Sequence, residues 1–182
     1  MTAAYTELQH AFKRMDNRFY DFRVQCRGLA QALREDLATY LGMSAGDVRF
    51  FKSEDLDAMN IAGLNEIPTQ YNDPFEGGEL ALGGSYRIGL CFGIIPFGET
   101  TPAWYPLIPL RFTKDNGNFT LAIEKSDKSF DLGIIPEKGV RQVSEWIINR
   151  WGEIANEGFD NFVSGKANNE MGFHTLFSER RT

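Results

Sequence analysis

The sequence predicts a single α+β domain over residues 1–182, a mostly antiparallel β-meander sheet braced by a long N-terminal helix and a C-terminal helix. Three features support this. An apolar stripe at helical spacing runs through residues 3–41, alternating strand-like runs fill 86–135, and a second helical stripe covers about 137–163.

The first helix carries the strongest pattern. Tyr5, Leu8, Phe12, Met15, Phe19, Phe22, Cys26, Leu29 and Leu33 recur at alternating steps of three and four, and Leu37, Tyr40 and Leu41 continue the stripe. Gly42 is a natural stop, because a glycine past the last turn adopts the left-handed conformation freely. Gly28 is the one weak residue inside, at a cost of about 1 kcal/mol relative to alanine. A continuous helix over 3–41 is about 58 Å long at 1.5 Å per residue. A compact chain of this length is about 41 Å across. The helix must therefore overhang its own domain or break near Gly28. If it overhangs, Tyr5, Leu8, Phe12, Met15, Phe19 and Phe22 form too large an apolar area to leave wet, and a homodimer closed by two-fold symmetry is expected to cover them.

Residues 42–85 read as an acidic, loop-rich segment. VRFFK after Asp47 is a short strand, and SEDLDAMN is a short helix with Ser53 as its N-cap. IPTQYNDPFEGGELALGGS is dense in turn formers and reads mostly as loop. Its paired glycines, 77–78 and 83–84, suit turns and close backbone approach rather than a phosphate loop. In the meander, Tyr86, Ile88, Leu90, Phe92 and Ile94 share one face. Trp104, Pro106, Ile108, Leu110 and Phe112 do the same in the next run, where two prolines suggest an edge strand or a bulge. Asp115-Asn116-Gly117-Asn118 predicts a tight hairpin turn into FTLAIEK, and FDLGII completes the meander. Val140, Val143, Ile147, Trp151 and Ile154 mark the buried face of the last helix. The tail, 164–182, is polar apart from Phe173, Leu176 and Phe177.

Composition narrows the function. Hydrophobic residues make up 42% and charged residues 24%, which suits a globular chain rather than a disordered one. No apolar run approaches the roughly 18–20 residues of a membrane span, and the N-terminus lacks the pattern of a secretory signal. A cytoplasmic protein with no membrane association is expected. Two cysteines and two histidines, with no HExxH or CxxC, argue against a disulfide scaffold or a histidine-based metal centre, and no cofactor is expected. The net charge of −6 falls in one place: residues 42–85 hold two basic and eight acidic groups. Nucleic-acid binding is not expected of an acidic chain. Lys13, Arg27 and Arg34 lie on one flank of the first helix with Arg14, Arg18 and Arg23 nearby. Interleaved acids leave that helix at +1, so this flank reads as a solvated face.

Two groups of candidate site residues remain. Glu124 and Asp127 at a strand end, or Asp73, Glu76 and Glu79 on the acidic loop, are the carboxylates from which a metal-dependent phosphodiester hydrolase would be built. Tyr71, Phe75, Phe97, Trp104 and Tyr105 sit on proline-stiffened loops and would offer rigid contact area if the fold gathers them. No nucleophile motif occurs. The leading expectation is a non-enzymatic binding or inhibitory protein that acts through protein surfaces and self-associates through its first helix. The alternatives are the hydrolase and a small-molecule or nucleotide sensor.

Overall fold

The computed structural model describes residues 3–55, 68–81, 83–95, 97–98, 100, 104–124, 126–134, 136–163 and 174–177. Of Trp104, Glu137, 155–163 and 174–177 it describes the backbone alone.

Helix α1 is Ala3–Leu41 and runs unbroken through Gly28. It ends as the glycine predicts. Gly42 takes φ +67°, its N–H donates to the Thr39 carbonyl (3.2 Å), and the Met43 N–H reaches back to Ala38 (2.9 Å). Those two bonds satisfy carbonyls that the helix end would otherwise leave open. Ser44 and Asp47 then form a reciprocal cap on a one-turn 3₁₀ helix, Ala45–Asp47, which feeds strand β1, Val48–Phe51.

The acidic segment is more ordered than its composition suggests. Residues 53–55 are helical, and the rest of the helix expected there lies outside the described residues. A short helix α2, Pro74–Gly77, is capped by Asp73, and strand β2, Glu79–Ala81, turns through Gly83 and Gly84 into β3, Ser85–Phe92. The glycines of 77–78 serve close approach. A Cβ on Gly78 would lie 1.8 Å from the Tyr86 hydroxyl, which donates to the Pro74 carbonyl at 2.7 Å.

Strands β4 (Trp104–Asp115), β5 (Asn118–Ile123) and β6 (Ser129–Gly133) complete the meander, and the main sheet order is β1-β3-β4-β5-β6. The β4–β5 turn has positive φ at both Asn116 (+48°) and Gly117 (+89°), as a two-residue hairpin with this twist requires. Helix α3, Val140–Val163, follows. Strand β7, His174–Phe177, then pairs antiparallel with the first residues of β4. The polar tail gave no sign of this strand.

β4 corrects the expectation of an edge strand, because β3 pairs on one side and β5 and β7 on the other. Its prolines survive there through alternation. The Glu124 N–H donates to the Pro109 carbonyl (2.9 Å), so odd-numbered residues of β4 bond toward β5 and even ones toward β3. The N–H that Pro109 lacks would face Glu124, one step beyond the last β5 pair, Leu110–Ile123, and before the first β7 pair, Leu107–His174. That of Pro106 would face one step beyond the last β3 pair, Leu107–Cys91. Each missing donor thus falls at the end of a ladder, where it costs one terminal bond and leaves the rest of the pairing intact.

One face of the sheet packs under the helices. Tyr86, Ile88, Leu90, Ile108, Leu110, Phe112, Leu121 and Ile123 meet Cys26, Leu29, Leu33 and Leu37 of α1 and Val143, Ile147 and Trp151 of α3. A smaller cluster, Phe51, Cys91 and Leu107 with Tyr105 against it, fills part of the opposite face. There Phe51 and Pro109 flank Gly89 on neighbouring strands, and the Phe51 ring lies over the glycine.

Gly89→Ala would place a methyl carbon about 2.1 Å from that ring. We expect it to lower stability by about 1–3 kcal/mol in urea titration. Gly28→Ala meets nothing within 4 Å on an exposed helix face and should raise stability by about 1 kcal/mol in the same measurement.

Candidate functional site

Two surfaces stand out from the core. The first is the N-terminal half of α1. Residues 3–21 are all exposed, and burial starts only at Phe22, whose ring stacks on Phe119 at 6.2 Å. Over this arm the stripe continues half exposed: Tyr5 is 50% exposed, Leu8 53%, Phe12 55%, Met15 43% and Phe19 46%. Five of the six residues expected at an oligomer interface thus lie on the free arm, and Phe22 marks where the helix meets its own sheet.

The second surface is where the middle of α1 meets the segment around α2. Arg34 is only 9% exposed, and its guanidinium ties three pieces together. Nε donates to the Ala45 carbonyl (2.7 Å), Nη1 to the Asn72 carbonyl (2.6 Å), and the group lies over the Phe50 ring at 5.4 Å. Arg49 donates to the Asn72 side-chain oxygen. Arg23 and Arg27, one turn apart, both stack on the Phe75 ring, at 4.1 and 4.4 Å. Arg27 also pairs with Asp73 at 3.0 Å. The Phe75 N–H donates to the Asp73 carboxylate at 2.7 Å, and this bond, with Arg27 adding to it, holds the Asp73 pKa below the usual carboxylate range. Nearby, burial pushes the Tyr86 hydroxyl up to about 12, while Arg23 and Arg27 pull it the other way. A cleft of about 480 Å³ opens here, with Arg27, Gly28 and Gln31 on the helix side and Asn72, Asp73 and Pro74 on the loop side.

The arginine flank of α1 is therefore not the solvated face its spacing suggested. Residues 45–50 and 72–75, remote in sequence, supply the rings and carbonyls that the guanidiniums of Arg23, Arg27 and Arg34 contact. Lys13, Arg14 and Arg18 stay exposed on the free arm.

The candidate carboxylates are dispersed. Glu124 is buried, and both its oxygens accept from Arg87 at 2.8 Å, with Arg111 at 3.4 Å. Arg87 and Arg111 face each other across β3 and β4, where like charges repel, and Glu124 relieves that repulsion. Glu79 lies 3.6 Å from Arg87, and burial together with Glu54 raises its pKa. Asp127 is exposed on the β5–β6 turn, Glu76 is exposed on α2, and Asp73 is the α2 cap. Among the described residues no group of three His, Cys, Asp or Glu side chains is placed to hold a metal ion.

The aromatic candidates are also dispersed. Tyr71 bridges β1 opposite Phe50 and packs against the main core, Phe75 lies under the two arginines, and Tyr105 packs on the cluster of the far face. Phe97 is fully exposed. Trp104 opens β4, and its side chain lies outside the described residues. Cys26 and Cys91 are both free and buried, and burial pushes each thiol up to about 12, which leaves little thiolate to act as a nucleophile. Comparison of the chain with family models, with curated proteins and with solved structures finds no match.

Asp73→Ala should cost about 1 kcal/mol by loss of the cap, whereas Asp73→Asn keeps it. Because the folded carboxylate has a lowered pKa, its charge-dependent stabilisation is complete above the unfolded value of about 3.9 and is lost as pH falls through the folded value. The stability difference between wild type and Asp73→Asn should therefore narrow as pH falls below about 4, as urea titrations between pH 7 and about pH 2 would reveal.

Proposed function

We propose that the protein is a non-enzymatic binding or inhibitory protein that self-associates through the free arm of α1. The supporting observation is the stripe Tyr5, Leu8, Phe12, Met15 and Phe19, about half exposed on a helical segment whose residues 3–21 are all exposed. An isolated helix of this length is marginal in water, so the arm gains stability when its apolar face is covered. With Tyr20 at its border, the stripe offers roughly 500 Å² per copy. Two copies facing one another bury about 1,000 Å², the lower bound for a stable interface. A second copy is the occupant, because one self-complementary stripe suffices for two-fold closure and an antiparallel pair of arms matches it along its full length of about 28 Å. No helix among the described residues is long and apolar enough to cross a membrane. Two free cysteines, one in each apolar cluster, suit the reducing cytoplasm, which we take as the location.

Light scattering at micromolar concentration should give twice the 20.6 kDa chain mass. Phe19→Glu should raise the dimer dissociation constant at least about 100-fold, since it would bury an unpaired charge. Its helix content by circular dichroism should persist, because Phe19 makes no contact within its own core. A wild-type monomer at 20.6 kDa would refute the proposal.

A further inference from the structure

The guanidinium groups around residues 71–78 carry more positive charge than the neighbouring acids cancel. Arg23, Arg27, Arg34 and Arg49 converge there, and among the described residues the one carboxylate paired with any of them is Asp73. Arg34 and Arg49 donate to neutral oxygens of Ala45 and Asn72, which satisfy hydrogen bonds without cancelling charge. Arg23 has no ion-pair partner among the described residues, and the Nε atoms of Arg23 and Arg27 are buried without an acceptor. In a chain of net charge −6 this is a local reversal of sign.

We propose that the cleft beside Arg27 and Arg34 binds a small molecule through a phosphate-type oxyanion. Arg27 and Arg34 line the cleft and Arg23 and Arg49 lie beside it, with Asp73 the one carboxylate among the described residues that pairs with any of them. Positive charge is therefore in excess, and a dianion matches it better than a second monocarboxylate. Guanidinium forks are also suited in shape to phosphate oxygens. The cleft is open to solvent, and its volume of about 480 Å³ exceeds what a bare phosphate fills. The remaining space is walled by Val24, Gly28 and Pro74, an apolar surface suited to an organic group. Asp73 sits at the same cleft and competes for Arg27, so it acts as an internal stand-in that the ligand displaces.

The test is isothermal titration of the full chain with inorganic phosphate, phenyl phosphate and benzoate, at ionic strength held constant with chloride. Saturable binding of one phenyl phosphate per chain is expected, tighter than inorganic phosphate by about threefold or more, with benzoate weaker than both. Affinity should rise between pH 5.5 and 7.5 as the monoester takes its second charge near pH 6. Arg27→Gln should weaken binding about tenfold or more. Arg23→Gln should also weaken it while leaving the Arg27–Asp73 pair in place. Asp73→Asn, which keeps the helix cap, should strengthen binding about threefold, the opposite of what a merely structural role predicts. Equal heats from chloride alone, an unchanged affinity in both arginine variants, or weaker binding by Asp73→Asn would overturn the site. Inorganic phosphate binding as tightly as phenyl phosphate would overturn the organic ligand and leave free phosphate as the occupant.

Discussion

A helix about 58 Å long lies on a sheet that covers only its C-terminal half, and the rest of the structure follows from that mismatch. From Phe22 to Leu41 the apolar stripe is buried by strands and by α3. From Ala3 to Asp21 the same stripe continues with no strand of the described residues beneath it. Nothing in the backbone distinguishes the halves, because the hydrogen-bond ladder and the spacing of apolar residues run through both. What distinguishes them is the partner surface. The docked half supplies a nucleus from which the arm propagates as helix, at the modest cost of adding residues to an existing helix rather than starting one.

The docked half also organises the acidic segment. The negative charge of the chain is concentrated in this segment, and it is held where local positive charge on the helix meets it. Arg34, buried over Phe50, reaches from α1 to the Ala45 and Asn72 carbonyls. Arg27 fixes the capping carboxylate of α2, and Phe75 fits against two guanidiniums. On the opposite face Arg87 performs a related role, bridging Glu79 of β2 and Glu124 beyond β5. Both arrangements use guanidiniums because several fixed donors in a plane can engage two elements at once.

What was legible in the sequence is what depends on local periodicity and turn chemistry. The bounds of α1, its glycine stop, the Asn116-Gly117 turn, the meander strands and the buried face of α3 all follow from spacing that the fold leaves undisturbed. What was not legible depends on neighbours distant in the chain. Pro106 and Pro109 argue for an edge when β4 is read alone. Only the register against β3, β5 and β7 shows that their missing donors fall at the ends of the ladders. β2 is three residues long, and β7 lies in a polar tail, so neither shows a run of alternation. Glu124 reads as a strand-end carboxylate with catalytic potential until Arg87 and Arg111 are found opposite each other. The arginine flank of α1 reads as solvated because its contacts come from residues 45–75.

The two candidate surfaces share one helix yet point in different directions. At about 100° per residue, the face carrying Arg27, Gly28, Gln31 and Val24 is turned roughly 130° from the stripe carrying Phe12, Met15 and Phe19. Pairing of arms along the stripe therefore leaves the cleft open, and each copy of a dimer keeps its own cleft. Gly28 acquires a reason in this light. It does not break the helix, no neighbour lies within 4 Å of where its Cβ would stand, and it lines the cleft. A glycine at a helix position free of steric conflict sacrifices about 1 kcal/mol of stability for open space. That space lies between the helix and Asn72–Pro74, where Arg27 and Arg34 concentrate uncancelled charge. A requirement of the cleft rather than of the fold accounts for the residue.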